Sequence, residues 1–418
     1  MTVYIPRLLD GALEQRLRSA GAVVIDGPKA VGKTETGRRA ALSEVSLDTD
    51  VAQRLLALSD PRLVLEGATP RLLDEWQVVP ALWNAVRRAV DDRRAMGQFI
   101  LTGSASPADD LTRHSGAGRF TRLRMRPLTL IETGHASPDV SLSDLLKGAF
   151  EPTPGQTLEL PIIVERIITG GWPASQGIPI RESARYASDY LDQTARLDVV
   201  GLEGVRHDPR KVRALLRSLA RNTATEASGS TLARDAGGND GPLHRDTVAR
   251  YLDALERVHV LEVQEAWSVP LRTRTPLREA PKRQLVDTSL ITAALRIGSA
   301  DALMNDPETL GLIFESLVIQ QLRALADLND AAVFHFRSKS GLEVDAIVEQ
   351  TGGAWAAFEV KLGPGLIDTA AATLLKFASE IDTARRGPPS TLGVIVPSGP
   401  AYRRPDGVAV IGLTSLGV

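Results

Sequence analysis

Cysteine is absent from the 418 residues of this sequence. Its absence excludes disulfide bonds, thiolate metal ligands and cysteine nucleophiles from the chemistry of the chain. The formal net charge is only −2, so no overall field marks the protein as a binder of nucleic acid or of anionic membranes. Long apolar runs are also missing, because none approaches the roughly 20 residues that span a bilayer. Since residues 1–10 lack a signal-peptide pattern as well, we expect a cytoplasmic protein with no membrane partner.

Patterning along the chain indicates three structured regions and one linker. At about 150 residues per domain, a chain of 418 residues is expected to form two or three domains. Over residues 1–135, short apolar runs alternate with helical patterns, which predicts an α/β fold with a parallel sheet. Residues 136–160 are rich in Pro, Gly, Ser and Thr and are predicted to be a linker. Residues 161–275 are predicted to be helical, with a winged helix-turn-helix. Residues 276–418 return to mixed strand and helix patterns.

Individual elements can be predicted from the same patterns. In the first region the predicted strands are Ala22–Ile25, Val45–Leu47, Leu72–Leu73 and Phe99–Leu101, and the predicted helices include Lys33–Leu42 and Val79–Arg94. In the last region the predicted strands are Val333–Phe336, Val344–Val348 and Trp355–Val360, after a helix over Thr309–Leu328.

A glycine-rich loop, Gly-Pro-Lys-Ala-Val-Gly-Lys-Thr, follows the first predicted strand and continues into a helical pattern. Glycines let successive backbone N–H groups point at phosphate oxygens, and the helix N-terminus adds partial positive charge. In this P-loop pattern Lys33 reaches the β- and γ-phosphates, and the Thr34 hydroxyl ligates Mg²⁺. A chance occurrence of this motif is not expected to have a predicted strand directly before it and a predicted helix directly after it. ATP with Mg²⁺ is therefore the predicted ligand, held by Gly27, Pro28, Lys29, Ala30, Val31, Gly32, Lys33, Thr34 and Glu35.

Two acids, Asp74 and Glu75, directly follow the third predicted strand, Leu72–Leu73. In a P-loop sheet a carboxylate at a strand end holds the Mg²⁺, and a second acid beside it can activate water. We assign Asp74 to the metal and Glu75 to the base. The N-terminus of a helix can show the same short pattern, but its place between the P-loop and the following strand favours the catalytic interpretation.

Polar groups also follow the strand Phe99–Leu101, where Thr102 and Ser104 could hydrogen-bond the attacking water or the γ-phosphate. A simple strand-terminating turn is the alternative.

Arg119 follows Gly118, and a guanidinium there could reach a transition-state phosphate of its own chain or of a neighbour. Arginine is abundant in this sequence, so a surface or structural arginine is the alternative for Arg119.

The N-terminal half resembles the bacterial and archaeal AAA-type ATPases whose C-terminal half has a restriction-endonuclease-like core. The resemblance implies nucleotide-sensor roles for Thr102 and Ser104 and an arginine-finger role for Arg119. The sequence departs from the usual family pattern at Lys29 and Ala30, which replace Arg and Gln, and at Trp76. The matching segments, which run in order through nearly the whole chain, are Tyr4–Arg7, the P-loop, Leu47–Asp48, Leu73–Gln77, Ile100–Ser104, Ala117–Arg119, Pro127–Glu132, Gly170–Pro173 and Tyr190–Leu191.

Near the C-terminus, two predicted strands flank a turn at Thr351–Gly353. A hairpin centred on Gly352 places Asp345 opposite Glu359, with Cβ atoms about 4.5–5.5 Å apart. Two facing carboxylates repel each other unless a cation neutralises them, and a bound Mg²⁺, or Mn²⁺, would do so. The alternative is a solvated hairpin face that carries a cross-strand ion pair between Glu343 and Lys361.

The set Asp345, Glu359 and Lys361 matches the nuclease motif of the restriction-endonuclease-like fold, and Glu315 is the helical carboxylate that would complete a metal site. Lys361 would position or activate the hydrolytic water. His335, Arg337 and Lys339 would form a basic edge that meets phosphates. Nuclease-like cores also occur as inactive binding modules, so cleavage is a separate question.

In the middle region the sequence leaves two interpretations of the predicted third helix, Arg245–Arg257. His244, Arg245 and Arg250 could enter a major groove of DNA. Alternatively, the winged helix serves only for packing between domains. Val248, Leu252 and Leu255 have core spacing in either case.

Two functions compete at this level. In the first, Mg²⁺-dependent ATP binding and hydrolysis is coupled to a metal-dependent nuclease that acts on DNA or RNA. In the second, ATP switches conformation, partner binding or homo-oligomeric state, and the nuclease-like half is an inactive binding module. A metabolite kinase is a weaker third option, because the second half shows no feature that would bind a small acceptor.

Overall fold

The computed structural model describes residues 4–104, 117–198, 208–238, 241–268 and 280–418. These residues divide into two compact units. The first contains the chain up to Pro127 together with Asp253–Val260, and the second contains most of the remainder, including Leu128–Leu197 and Leu261–Val418. The boundary predicted at residues 275–276 lies outside the described residues.

The first unit is a five-stranded parallel sheet with the order β2-β3-β4-β1-β5. The four predicted strands and two predicted helices are all found, with ends that shift by at most three residues. Its elements are α1 Leu9–Ser19, β1 Ala22–Asp26, α2 Lys33–Ala40, β2 Ser43–Ser46, α3 Val51–Ser59, β3 Arg71–Asp74, α4 Leu82–Arg93, β4 Phe99–Gly103 and β5 Phe120–Arg124.

Continuous apolar runs explain the central strands of this sheet. The residues of β3 and β4 are buried throughout, and so are the first four of β1. Strands that lack alternation in this way are covered on both faces, as in parallel sheets whose crossover helices lie on either side. All five carboxyl ends meet at one edge, so the residues that follow β1, β3 and β4 are brought together there.

The second unit holds the remaining strands and most of the helices, except that residues 253–257, the end of the helix that begins at Arg245, belong to the first unit. Its elements are β6 Val140–Ser141, α5 Leu142–Leu146, α6 Leu160–Thr169, α7 Ile180–Gln193, α8 Pro209–Arg221, α9 Gly229–Gly237, α10 Arg245–Arg257, β7 Leu261–Gln264, β8 Lys282–Leu285, α11 Thr288–Leu295, α12 Ala300–Met304, α13 Pro307–Leu328, β9 Ala331–Arg337, β10 Glu343–Gln350, β11 Trp355–Val360, α14 Ile367–Glu380, α15 Thr383–Arg386, β12 Thr391–Val396, β13 Tyr402–Arg403, β14 Ala409–Gly412 and β15 Leu416–Gly417.

The segment 136–160 is not simply a linker, which corrects the prediction from composition. It contains β6, which pairs with β15, and α5, whose three leucines are buried. Thr391 Oγ1 donates to the carbonyl of Leu145 at 2.8 Å. Composition does not indicate this structure, because the short apolar clusters between Pro and Gly residues are buried by strands more than 200 residues away.

The middle of the chain has the order helix, short helix, helix and strand, which is the outline of the predicted winged helix-turn-helix. Helices α8, α9 and α10 precede β7, which pairs antiparallel with β8. Val248, Leu252 and Leu255 of α10 are buried as predicted, whereas His244 is exposed beside Asp246. The order of elements agrees with the prediction, and the winged-helix assignment stays a prediction.

A buried carboxylate, Asp287, organises the second unit around the segment Gly170–Trp172. It accepts hydrogen bonds from the backbone N–H of Gly171 at 2.8 Å, from Gln320 Nε2 at 3.1 Å and from Ser289 N–H at 2.9 Å. Ser289 Oγ in turn accepts a 3.0 Å bond from the Trp172 indole. A buried carboxylate is tolerated only when donors surround it in this way.

The C-terminal sheet has the order β13-β14-β12-β11-β10-β9 and mixes parallel with antiparallel pairs. Helix α13 packs on β9 and β10, and α14 packs on β11 and β12. In the hairpin, Ala346 pairs with Phe358 and Val348 with Ala356, so the turn is centred on Gly352 as predicted. Among the described helices, only α13 is long and apolar enough to cross a bilayer, and 72% of its most apolar stretch is buried within the fold.

Candidate nucleotide site and a buried carboxylate cluster

The P-loop joins the end of β1 to the start of α2. A Cβ at Gly27 would lie 2.2 Å from the Met125 carbonyl oxygen, so only glycine fits where the loop passes the neighbouring backbone. Gly32 has a φ of +101°, a conformation that L side chains rarely adopt. Helix α2 then begins at Lys33, so its free N–H groups face the loop. This is an anion-binding backbone.

Lys33 is buried at the centre of the loop. Its ammonium donates to the carbonyl oxygens of Gly27 at 2.9 Å and Pro28 at 2.7 Å. Burial lowers the pKa of Lys33 to about 8, and the carboxylates of Glu75, Asp26 and Asp74 act in the opposite direction. A desolvated ammonium surrounded by loop backbone is well placed to meet an anionic ligand.

Asp74 links three elements at the carboxyl edge of the sheet. Its Oδ1 accepts a 2.8 Å hydrogen bond from Thr34 Oγ1 at the start of α2. The same oxygen accepts a hydrogen bond from Thr102 Oγ1 on the neighbouring strand β4. The strand order explains the contact, because Thr102 is the register partner of Asp74. A hydroxyl and a carboxylate oxygen side by side are the hard donors that Mg²⁺ prefers.

Glu75 follows Asp74 in a left-handed backbone conformation with φ +52°. Residues other than glycine held in that region cluster at functional sites. Its Oε2 accepts a 3.2 Å hydrogen bond from Ser104 Oγ and another from Gln77 Nε2. The carboxylate is thus oriented by two donors that bind the same oxygen.

A cavity of about 540 Å³, within the size range of small-molecule sites, lies among these groups, although Asp74 and Thr102 are not part of its lining. The structure therefore brings together most of the predicted nucleotide-site residues. The lining residues are Lys29, Ala30, Gly32, Lys33, Thr34, Glu35, Asp48, Glu75, Gln77 and Ser104.

Arg119 is not among the residues that line the cavity. It directly precedes β5, and Phe120 is the register partner of Ala22, the first residue of β1. The P-loop follows Asp26, at the opposite edge, about 13 Å further along the strand at 3.3 Å per residue. Arg119 Nε instead pairs with Asp91 Oδ1 at 2.8 Å, and both side chains are partly exposed. Arg119 is therefore remote from the nucleotide cavity of its own chain.

In the second unit, Asp345 and Glu359 are neighbours across the hairpin, as predicted, and both are buried. Lys361 Nζ lies 2.6 Å from Glu359 Oε2 and 3.4 Å from Asp345 Oδ2. Asp345 Oδ2 also accepts the Val360 N–H at 2.8 Å. A lysine ammonium thus bridges the two carboxylates that the sequence predicted as metal ligands.

Glu315 of α13 belongs to an adjacent ion-pair group around Lys282. Lys282 Nζ lies 2.9 Å from Glu315 Oε1 and 3.0 Å from Glu343 Oε1, and its side chain is fully buried. The ion pair between Glu343 and Lys361, which belonged to the alternative interpretation of the hairpin, is not formed, because Glu343 instead contacts Lys282 and Arg337. A solvated hairpin face is excluded as well, since Asp345, Glu359 and Lys282 are buried and the other members of the cluster are only partly exposed.

The predicted metal ligands Glu315, Asp345 and Glu359 are brought close together but do not form a ready metal site. Across the described ranges, no group of three acidic, histidine or cysteine side chains is arranged to hold a metal ion. Two lysines supply the positive charge. Burial, followed by the Asp345 carboxylate, raises the pKa values of Glu315 and Glu359 well above their usual range.

His335 does not belong to a basic edge, which corrects the prediction for this residue. Its side chain is fully buried, and Nε2 lies 3.1 Å from the Ala280 carbonyl oxygen, so Nε2 carries the hydrogen. Burial, and then the Lys282 charge, lowers the pKa of His335 to about 4. Arg337 pairs with Glu226 and Glu343.

We expect His335 to make the second unit sensitive to acid. Its pKa is lower in the folded than in the unfolded chain, so its stabilisation is complete above pH 6.5 and is lost as the pH falls towards 4. The shift corresponds to about 3 kcal/mol. Denaturant titrations between pH 7 and 4.5 should show a smaller pH dependence for His335→Gln than for wild type. His244→Gln, at an exposed position, is the control, and equal slopes for all three proteins would contradict the prediction.

Comparisons with known proteins match separate segments of the chain. The model of a family described as an AAA domain matches residues 19–134. This segment resembles AAA-type P-loop ATPases. The match of residues 19–134 supports ATP binding and hydrolysis. Residues 161–301 and 310–416 match two domains of unknown function. Uncharacterised proteins of Mycobacterium tuberculosis and Mycobacterium bovis are each 29% identical over 354 residues, which is 84% of this chain and 72% of the relative.

Two solved structures match the chain at low sequence identity and low TM-score. A Walker-type ATPase of Pyrococcus abyssi is 13% identical, with a TM-score of 0.43, over 70% of this chain and 96% of its own. DnaA of Aquifex aeolicus bound to AMPPCP is 15% identical, with a TM-score of 0.29, over 60% of this chain and 86% of its own.

Sequence reasoning assigned no role to three residues that support the AAA-type site. Arg7 is buried and donates to the Val31 carbonyl of the P-loop at 2.8 Å and to the Arg126 carbonyl at 2.7 Å. Asp48 lines the cavity, and Gln77 orients Glu75. All three occur in segments that carried the resemblance, so their placement was signalled but not their contacts.

Proposed function

We propose that this protein hydrolyses Mg²⁺-bound ATP at the edge of the five-stranded parallel sheet where the carboxyl ends of its strands lie. The observation that carries the proposal is Asp74, whose carboxylate joins Thr34 of the P-loop helix to Thr102 of β4 beside the buried Lys33. The loop N–H groups and Lys33 bind the β- and γ-phosphates. Thr34 and Asp74 would hold Mg²⁺, which neutralises charge on the phosphates when bound.

Glu75 acts as the general base of this proposal. It accepts a proton from the water whose oxygen attacks the γ-phosphorus, and the bond from that phosphorus to the β–γ bridging oxygen breaks. Gln77 and Ser104 keep the carboxylate oriented towards the cavity. Thr102 and Ser104 report the state of the γ-phosphate through Asp74 and Glu75 respectively.

Arg119 completes the site only from another copy of the chain. It lies at the amino edge of the sheet, away from its own P-loop, and it is partly exposed. An arginine supplied in trans stabilises charge on the transferring phosphoryl group. The proposed enzyme is therefore a homo-oligomer.

The Lys33→Ala variant tests nucleotide binding. Charge-assisted hydrogen bonds contribute about 1.5–3 kcal/mol, so its affinity for an ATP analogue with Mg²⁺ should fall roughly 10- to 100-fold. Titration calorimetry measures the change. Lys147→Ala, at an exposed lysine paired only with Asp144 among described contacts, is the control and should bind like wild type. Wild-type protein that takes up no nucleotide would refute the function.

We infer a second candidate function for the cluster of Glu315, Asp345, Glu359 and Lys361, namely phosphodiester hydrolysis in DNA or RNA. Three elements, α13, β10 and β11, bring these side chains together, and the Lys361 ammonium bridges Asp345 and Glu359 where a cation fits. As they stand these carboxylates are neutralised by lysines, so Mg²⁺ or Mn²⁺ would have to displace the Lys361 ammonium to be held by Asp345, Glu359 and Glu315, and it would then polarise the phosphate. Lys361, once released from the carboxylates, would orient the water.

Asp345→Asn tests this second function. If the cluster is hydrolytic, Mg²⁺- or Mn²⁺-dependent nicking of single- and double-stranded DNA and RNA should fall at least about 100-fold in the variant. Asp368→Asn, at an exposed carboxylate of α14, should cut like wild type. Wild-type protein that leaves every substrate intact would instead favour the alternative, in which ATP drives a switch and this half is an inactive binding module.

A further inference from the structure

Trp76 is buried next to the carboxylate that we assign as the general base. It directly follows Glu75 and begins a short 3₁₀ turn, Trp76–Val78, with only 2% of its surface exposed. Among the residues that the structure describes, its indole Nε1 has no hydrogen-bond partner. An indole N–H can only donate, and a buried donor without an acceptor is costly. The indole is therefore expected to meet an acceptor close by.

Gln77 supplies an acceptor of matching polarity. Its Nε2 donates to Glu75 Oε2, whereas its Oε1 is buried and is not hydrogen-bonded to any described residue. A Cβ added at Gly103 would lie 2.6 Å from Gln77 Oε1 and 3.1 Å from Trp76 Nε1. The two atoms are separated by no more than the sum of these distances. One water molecule or a small rotation can bridge that gap, because each hydrogen bond spans about 2.9 Å.

The orientation of the Gln77 amide decides what Glu75 receives. In the observed orientation the amide NH₂ donates to the carboxylate, and the carbonyl oxygen lies on the side of Trp76. Reversal of the amide would bring two acceptors together at Glu75 and two donors together at Trp76. With the indole N–H present, both contacts oppose reversal. Without it, only the contact with Glu75 holds the amide in place.

The space beside Gly103 keeps this arrangement possible. Gly103 ends β4, and the next residue, Ser104, donates to Glu75 Oε2 at 3.2 Å. A side chain at position 103 would project into the gap between the Gln77 carbonyl and the Trp76 indole. Because Gln77 and Ser104 share one oxygen of Glu75, a reversed amide would leave Ser104 to orient the base.

We propose that Trp76 is a positioning residue of the ATPase site, whose indole N–H holds the Gln77 amide, directly or through one bridging water, in the orientation that gives Glu75 a donor. This proposal rests on the proposed ATPase function. Trp76 is not among the described residues that line the nucleotide cavity, whereas Gln77 and Glu75 are. Trp76 therefore acts on the base through Gln77 and not by contact with the nucleotide.

Trp76→Phe tests the proposal, because phenylalanine keeps an aromatic ring and removes the N–H. The turnover number for ATP should fall about 3- to 10-fold with an unchanged KM, as expected for the loss of one neutral hydrogen bond that acts on catalysis. Trp83→Phe is the matched control. Trp83 is as deeply buried, and its ring centroid lies 5.2 Å from that of Trp76. It should keep the wild-type turnover number.

Combination with Gln77→Ala separates positioning from packing. If Trp76 acts through Gln77, Trp76→Phe should lower the turnover number no further in the Gln77→Ala protein. Independent effects would instead multiply, and a double variant whose loss equals the product of the two single losses would overturn the proposal. Wild-type turnover in Trp76→Phe itself would overturn it as well.

A measurement without nucleotide checks the link itself. The chain has five tryptophans, and the indole ¹⁵N–¹H signal that disappears in Trp76→Phe belongs to Trp76. Gln77→Ala should shift this signal, whereas Glu66→Gln, at an exposed acid paired with Arg93, should leave it in place. If Trp76→Phe folds poorly, Gln77→Ala should still move one of the five indole signals.

The two proposals fail in different ways. Indole signals that all keep their positions in Gln77→Ala overturn the positioning role of Trp76, whatever the activity of the protein. Wild-type protein that hydrolyses no ATP overturns the ATPase function instead, and the indole spectrum still decides whether Trp76 and Gln77 interact.

Discussion

Glu75→Gln is expected to lower the turnover number for ATP by about 10²–10⁴-fold, the usual contribution of a general base. The amide has nearly the same shape and can still accept the hydrogen bonds from Gln77 and Ser104, but it cannot take the proton of the attacking water. Nucleotide affinity should change little, because the phosphates are held by the P-loop and Lys33.

Steady-state phosphate release at saturating ATP, with calorimetric binding in parallel, checks this expectation. Glu66→Gln, at an exposed acid paired with Arg93, is the control and should hydrolyse ATP like wild type. Gln77→Ala should cause a smaller loss than Glu75→Gln, because it removes an orienting donor and keeps the base. If Glu75→Gln turned over ATP at the wild-type rate, another group would have to be the base.

Gly170→Ala is expected to destabilise the second unit by about 2–5 kcal/mol, combining backbone strain and overpacking. The residue has a φ of +69°, and a Cβ there would lie 2.2 Å from Asp287 Oδ1 and 2.5 Å from Ser289 Oγ. Relief of that clash would break the hydrogen bonds that surround the buried Asp287 carboxylate. An unsatisfied buried carboxylate is costly, so the effect should be large.

Thermal and denaturant unfolding measure this loss, and Gly177→Ala provides a matched control. Gly177 has a similar φ of +76°, but a Cβ there would meet nothing within 4 Å. It should therefore lose only about 1 kcal/mol, from backbone conformation alone. If both variants lost the same free energy of unfolding, the contact of the added methyl group with Asp287 would make no contribution to the loss. ATP binding should survive in both, since the nucleotide cavity lies in the other unit.

Local sequence signals predicted the ATPase unit well because its site is built from residues that end strands. The P-loop, Asp74 and Thr102 each follow an apolar run, and parallel strands bring such ends to one edge. Arg119 was harder to place, because a residue that precedes a strand lies at the opposite edge. Its remoteness from the cavity appears only once the register of β5 against β1 is known.

The C-terminal cluster shows where spacing stops being informative. Symmetry about Gly352 predicted that Asp345 faces Glu359, since side chains alternate along each strand. It did not predict Lys282, which lies more than 60 residues before the hairpin and is inserted between Glu315 and Glu343. It also placed His335 at an edge, although tertiary packing buries that side chain completely.

By itself, the amino-acid sequence determined the phosphate-binding loop, the acids that follow it and the pairing of the late hairpin, because each depends on near neighbours along the chain. Tertiary structure alone decided which charges meet: the lysines that neutralise the buried acids and the isolation of Arg119 from its own cavity. Those arrangements depend on contacts between distant segments, and no local pattern encodes the distances between them.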